Sequence, residues 1–255
     1  MIFLSKMCSK DWTQPVLTAC VLLLAQAQAM AQTASQAPSG TWQLALGWQH
    51  YSESQMQLSG PELGLHWQSP NKGAYRLEAD AAVALQNYSS TQTGTLEAVP
   101  NIDTRWRVLT SSQTWPQWQY GLALHTHFNF LRGTTSLGFG GYDRLSTQIW
   151  LPVRWQSLGE RPWAVDAGWL LWGTHESKLS QVNASLQDVR NTQRKGAYVQ
   201  ASTHLKTAMG ELQPYARWAW LDDSDVHLVI VGGEVQGAFE PQSKRLQVGV
   251  KWRFR

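Results

Sequence analysis

Four groups of side chains in this chain have types and spacings that chemistry can use. His50-Tyr51-Ser52 sets an imidazole and a hydroxyl two residues apart, with Glu62 further on, the parts of a base-activated nucleophile. His125 and His127 share that spacing. Two imidazoles on one face begin a metal site, but such a site needs three or four ligands, and no spacing rule joins His204 to them. Asp225-Val226-His227, at the end of the run Asp222-Asp223-Ser224-Asp225, offers a carboxylate and an imidazole for activating water; the plainer reading is an acidic loop, solvated or Ca²⁺-binding. The fourth and largest group is ionic: Arg76, Glu78, Asp80, Asp103, Arg105, Arg107, Arg144, Arg154, Asp166, Arg217, Arg245, Lys251 and Arg253. Gly-rich phosphate loops and Cys/His clusters are absent from the sequence.

What positions these residues is a period of two. From Gln117 to Phe130, one parity reads Trp118, Tyr120, Leu122, Leu124, Thr126, Phe128, Phe130 and the other Gln117, Gln119, Gly121, Ala123, His125, His127, Asn129. A strand turns successive side chains to opposite faces, whereas a helix would scatter them at 100° per residue. The same alternation runs through Tyr75–Gln86, Arg144–Trp155 and Arg245–Phe254. It predicts strands near 41–51, 62–68, 74–88, 101–110, 117–130, 143–155, 163–175, 196–205, 212–222 and 242–254, with bulges or breaks at Pro152 and Pro214. Connections alternate between short (69–73, 111–116, 156–162, 206–211) and long (52–61, 89–100, 131–142, 176–195, 223–241). Apolar residues on one face and charged ones on the other fit an all-β, closed antiparallel transmembrane barrel of ten strands, apolar side out. Eight strands follow if 62–68 and its neighbour lie outside the wall, twelve if 227–231 and 131–139 add a pair. In this arrangement Trp42, Trp67, Trp115, Trp118, Trp155, Trp163 and Trp252 gather near one end, and Tyr88, Phe128, Phe130, Tyr142 and Trp220 near the other, as amphipathic rings do at a headgroup level.

Composition agrees. The chain has 255 residues, 15% of them charged, a net charge of +3 and 15 Trp. Its charge is too low and mixed for a dedicated nucleic-acid binder, and its apolar content too high for a disordered chain. Residues 1–31 read as a cleaved secretory signal peptide: Lys6 and Lys10, an apolar stretch from Val16 to Ala27, and Ala29-Met30-Ala31 at the cut. Leu17-Thr18-Ala19-Cys20 has the look of a lipoprotein box, but Cys20 sits inside the apolar run. Both cysteines, Cys8 and Cys20, leave with the signal, so the exported chain uses no disulfides. Residues 32–40 then form a short periplasmic segment and 41–255 the barrel.

The closing residues Gln247-Val248-Gly249-Val250-Lys251-Trp252-Arg253-Phe254 resemble the assembly signal of bacterial outer-membrane barrels, departing from it in the final Arg255. Gln247, Gly249, Trp252 and Phe254 stand at its specified positions. With Ser59-Gly60-Pro61-Glu62-Leu63-Gly64 and Pro214-Tyr215-Ala216-Arg217-Trp218, they make the chain similar to small outer-membrane barrels of the OmpA-like or porin-like kind. The resemblance implies insertion by the barrel-assembly machinery, residence among outer-membrane lipid and lipopolysaccharide, both termini periplasmic, and no particular reaction. His50-x-Ser52 resembles the lipid A deacylase pattern, but Glu53 stands where that family has Asn, the motif lies on the first strand, and His50 continues the outward parity of Trp42, Leu44, Leu46 and Trp48. Asp225-x-His227 resembles the Asp–His pair of the ten-stranded omptin proteases. Their second carboxylate pair has its spacing only in Glu78-x-Asp80, toward the wrong end of a strand.

The expectation is therefore a barrel without catalytic residues, metal or cofactor, serving a structural or surface-binding role toward an external ligand that the sequence does not name. The interior charges Arg76, Glu78, Asp80, Asp103, Arg105, Arg107, Arg144, Asp166, Arg217 and Arg245 are expected to pair across the lumen and fill it. The alternatives are a small anion-preferring channel, from the excess of arginine, and an outer-membrane lipid A or peptide hydrolase.

Overall fold

The two-residue period becomes a sheet that closes on itself. The computed structural model describes residues 40–70, 75–112, 114–159, 161–231 and 234–253. The proposed signal peptide and Phe254 lie outside these residues. The strands are β1 (Thr41–Ser52), β2 (Met56–Gln68), β3 (Tyr75–Ser90), β4 (Gly94–Ser111), β5 (Trp118–Phe130), β6 (Asp143–Gln156), β7 (Trp163–Ser177), β8 (Val189–Gln193), β9 (Gly196–Thr203), β10 (Leu205–Thr207), β11 (Gly210–Leu221), β12 (His227–Val231), β13 (Glu234–Ala238) and β14 (Ser243–Arg253). β1 to β7 pair in order, and β8, β9 and β10 succeed one another along a single wall position between β7 and β11. β14 pairs with β11 on one side and with β1 on the other. The result is a closed antiparallel barrel of 10 strands. β2 pairs along its length with both neighbours, which removes the eight-strand count. β12 and β13 form a separate hairpin, and 131–142 holds only the bridge Thr134↔Gly140, which removes the twelve.

Alternation has turned the molecule inside out. Leu46 is 52% exposed and Trp218 43%, while inward Gln49 is 0% and Glu78 2% exposed. Among the described residues no helix is long and apolar enough to cross a membrane; the apolar belt belongs to the strands. Aromatic rings cluster at the end that carries the termini: Trp42 packs on Trp67 at 6.4 Å, Trp155 on Trp163 at 5.1 Å, and Trp118 lies opposite Trp155. The ladder between β5 and β6 skips two positions around Pro152, and that between β9 and β11 stops at Tyr215, beside Pro214. Proline lacks the N–H that a ladder needs.

Two expectations about the opposite, loop-bearing end need correcting. Residues 52–61 and 89–100 are mostly strand, turning only at 53–55 and 91–93. Beyond the apolar belt the alternation inverts: Leu58 and Val99 turn inward and are buried, while Gln57 and Glu97 face out. Water now lies outside, and the inward residues build an apolar cluster of Tyr51, Leu58, Val99 and Leu131, packed by Met56, Tyr88 and Leu96. Tyr88 and Tyr142, expected in an outer aromatic belt, instead border a cavity inside this end.

Candidate functional site: a filled lumen

Residues two apart on a strand share a face, so Glu78 and Asp80 on β3, and Asp103, Arg105 and Arg107 on β4, project inward together. Toward the terminal end they form an ionic lattice. Arg154 of β6 donates two hydrogen bonds across the lumen to Glu78, at 2.6 and 3.0 Å. Arg107 bridges Glu78 (2.9 Å), Asp80 (3.1 Å) and Asp166 of β7 (2.9 Å). Arg154 also reaches Asp166 at 2.8 Å, and the Tyr198 hydroxyl donates to the other Asp166 oxygen at 2.9 Å. Lys251 of β14 meets Asp80 at 2.8 Å, and Arg76 meets Glu78 at 3.1 Å nearer the rim. Forked guanidinium–carboxylate contacts are short and directional, so this layer is both filled and rigid. A cavity of about 40 Å³ remains at its terminal side, lined by Arg76, Arg107, Arg154 and Lys251 among others.

The middle layer is neutral or singly ionic. Asp103 accepts from His125 (2.6 Å), His127 (3.0 Å) and Arg245 (3.0 Å). Asn101 donates to Gln86 at 2.9 Å and to Asn129, and Gln247 donates to Glu62 at 2.9 Å while accepting from Arg105 at 3.2 Å. The paired histidines therefore each direct a ring nitrogen at one carboxylate, and among the described residues no three His, Cys, Asp or Glu are placed to hold a metal ion. His204 lies elsewhere, 2.9 Å from Glu211.

The loop-end layer turns on Arg144. Its guanidinium meets Glu53 at 2.6 Å and Glu240, and its Nε donates to His175 Nε2 at 3.2 Å. Ser146 Oγ lies 2.7 Å from His175 Nδ1, and Ser177 donates to Glu240 at 2.7 Å. Sequence spacing misses this Ser146–His175–Glu240 set, because it needs the β6–β7 register Ser146↔His175 and a loop carboxylate. It has the membership of a hydrolase triad, but His175 Nε2 faces both a Glu240 oxygen and Arg144 Nε, each at 3.2 Å, so Arg144 competes for the nitrogen that a triad gives to its carboxylate alone. All three residues are buried, and the cavity of about 220 Å³ above them is bordered by Glu240 but by neither Ser146 nor His175.

Glu240 lies outside the barrel wall, between β13 and β14. Burial alone would raise its carboxyl; Arg144 first, then His175, hold it down to about 2. The loop is tied here: Ser224 N–H donates to the Glu240 carbonyl at 2.9 Å and Glu240 N–H to Ser224 Oγ at 2.8 Å. A depressed carboxyl contributes stability above its unfolded value of about 4.3 and loses it as pH falls toward 2. We expect hydrogen-exchange protection of the Ser224 and Glu240 amides, corrected for intrinsic rates, to fall over that window. Glu240→Gln should lose it at neutral pH, on the order of 3 kcal/mol of anchoring. Protection unchanged at both would disprove the tie.

The other sequence candidates are not assembled. Among the described residues His50 and Ser52 make no mutual hydrogen bond; His50 sits opposite Ser59 and Leu246, and Glu53 serves Arg144 and Tyr51. Asp225 accepts the Thr192 N–H at 2.5 Å and its carbonyl accepts from Asn191, which pins the last loop to β8. Its supposed partners, Glu78 and Asp80, lie in the lattice toward the terminal end. Gln247 and Gly249 face the lumen, and Trp252 Nε1 donates to the Met209 carbonyl at 3.4 Å.

No family model and no curated protein matches the chain. Among solved structures it is similar to the outer membrane protease OmpT from Escherichia coli (9% identity, 86% of this chain and 98% of that one, TM-score 0.46). It is also similar to the Neisserial surface protein A (10%, 84% and 97%, 0.41) and to an outer membrane channel from Pseudomonas putida F1 (13%, 85% and 96%, 0.43). A protease, a surface protein and a channel at such scores carry no activity to this chain.

Proposed function

We propose that this chain is an integral outer-membrane barrel without catalytic activity, its lumen a sealed structural core, its work done by binding at the loop-bearing end. The observation that carries this reading is the near-complete burial of polar lumen side chains at every level, from Glu78 and Arg107 through Asn101 and Gln247 to Arg144. Water that threaded the barrel would leave these groups wet. Residues 1–31, with the exposed apolar belt, support export and insertion, with the short-turn end and both termini in the periplasm. Outer-membrane lipid and lipopolysaccharide then surround the wall, and the assembly machinery inserts it through β14.

A second reading, a small anion-preferring channel, draws on the excess of arginine over carboxylate in the lumen. Planar bilayers separate the two. The sealed barrel gives a silent membrane across the usual range of voltage and salt, whereas reproducible single-channel steps from heat-modifiable protein would establish the channel and end the sealed-core reading.

A further inference from the structure

The cavity of about 220 Å³ at the loop-bearing end has an ionic floor. Three charged residues line it, the cation Arg144 and the carboxylates Glu53 and Glu240. The neighbouring cations are engaged elsewhere: Arg132 with Asp143, Lys178 with Glu176 and Asp188, Arg245 with Asp103. With the His175 imidazole neutral, the floor carries one negative charge in excess. Glu240 uses both oxygens, one for Ser177 and one for Arg144. Glu53 does not. Its hydrogen bonds from Tyr51 and Arg144 both fall on Oε1, and among the described residues Oε2 accepts none, although the side chain is only 7% exposed. A carboxylate oxygen so far out of water calls for a donor.

The walls favour the same sign of charge. Four rings border the cavity, those of Tyr88, Phe139, Tyr142 and Phe239, and a ring face attracts a cation. Phe139 and Phe239 are each 51% exposed, which puts them at the water side of the cavity rather than in a closed core. An anion would find the reverse. Arg144 already gives Nη2 to both carboxylates and Nε to His175, so an incoming anion would meet Glu53 and Glu240 as well. An apolar cavity of roughly 150 Å³ holds one benzene, so this one has room for a ring with a short side chain.

We infer that this cavity binds a small organic cation, a primary amine on an apolar or aromatic body, with the ammonium at Glu53 and the body among the rings. The inference rests on the reading that the barrel works by binding at its loop-bearing end, and it supplies the ligand class. The ammonium donates to the unused Glu53 oxygen and balances the floor, while the apolar walls take the part of the ligand that water rejects.

The test titrates phenethylamine calorimetrically into folded protein in a neutral maltoside detergent, with protein-free micelles subtracted. An anion of similar size, 3-phenylpropionate, is the counterpart. Saturable binding of the amine at one site is expected, with a dissociation constant on the order of 0.1–1 mM, and no binding of the anion. Glu53→Gln should weaken the amine about tenfold. Phe139→Ala, which keeps the backbone bond from Thr135 N–H to the residue 139 carbonyl, should weaken it about threefold and serves if Glu53→Gln does not fold. Asp188→Asn removes a loop carboxylate that does not border the cavity and should bind as the parent does. Amine binding that is absent, non-saturating, or unchanged in both Glu53→Gln and Phe139→Ala overturns the site. Saturable binding of the anion, weakened in Phe139→Ala, overturns the cation class while keeping binding at this end. The sealed-core reading fails on conductance, which calorimetry does not measure, so the two failures are told apart.

Discussion

Gly249→Asp is expected to leave almost no heat-modifiable protein in the membrane fraction. Gly249 faces inward on β14 directly opposite Gly47 of β1, at the seam where the last strand meets the first. A Cβ built there would sit 2.5 Å from the Leu46 carbonyl oxygen, 2.9 Å from the Gly47 Cα and 2.9 Å from the Tyr215 hydroxyl. Two of those atoms are backbone and the third belongs to a buried ring, so the neighbourhood cannot give way cheaply. The reciprocal position is equally tight, since a Cβ on Gly47 would meet the Val248 carbonyl at 2.8 Å and the same hydroxyl at 3.2 Å. Overpacking alone costs roughly 1–3 kcal/mol. The aspartate also adds a charge at a tightly packed inward position, so a total above about 3 kcal/mol is expected. Gly173→Ala is the contrast: its Cβ would press at 3.2 Å on the flexible Gln148 Cγ, and insertion should stay near parental. If Gly249→Asp inserts as well as Gly173→Ala, the seam is not where the register puts it.

That seam was half legible in the sequence. The parity of Leu246, Val248, Val250 and Trp252 against Arg245, Gln247, Gly249 and Lys251 predicts which face of β14 looks in. Nothing local says that Gly249 meets Gly47, because register across the closure joins residues at opposite ends of the chain. The same limit governs the site. Alternation names Glu78, Arg107, Arg154 and Asp166 as interior, since a charge on the lipid parity would be unpaired in hydrocarbon. Who pairs with whom depends on the barrel's curvature, which brings β3 opposite β6. At the loop end the rule itself changes sign: Leu58 and Val99 turn in because water lies outside, so a reading that expects polar-in stops the strands too early. Arg144 shows the remaining gap. Its carboxylates, Glu53 and Glu240, come from connections, where no period marks which residue turns back into the barrel.

Glu78→Gln should destabilise the folded barrel by about 3–5 kcal/mol, the cost of breaking a buried pair and leaving the partner's charge behind. Glu78 is the lattice carboxylate with the most cations around it. It meets Arg154 through both oxygens, Arg107 at 2.9 Å and Arg76 at 3.1 Å, at 2% exposure. The amide keeps the shape and loses the charge, so Asp166 and Asp80 would then answer Arg107, Arg154 and Lys251 alone. Arg154→Met should cost less, because Glu78 keeps Arg107 and Arg76 while Asp166 keeps Arg107. In the double variant the excess cation is gone together with its acceptor, and part of the Glu78→Gln loss should return, a coupling on the order of 1–3 kcal/mol. Urea unfolding of refolded protein in lipid vesicles, followed by circular dichroism, reads all three. A Glu78→Gln loss below about 1 kcal/mol, with no coupling to Arg154, would mean that water already solvates these charges. The lattice would then be an exposed surface lining an open lumen, and the sealed core would fall with it.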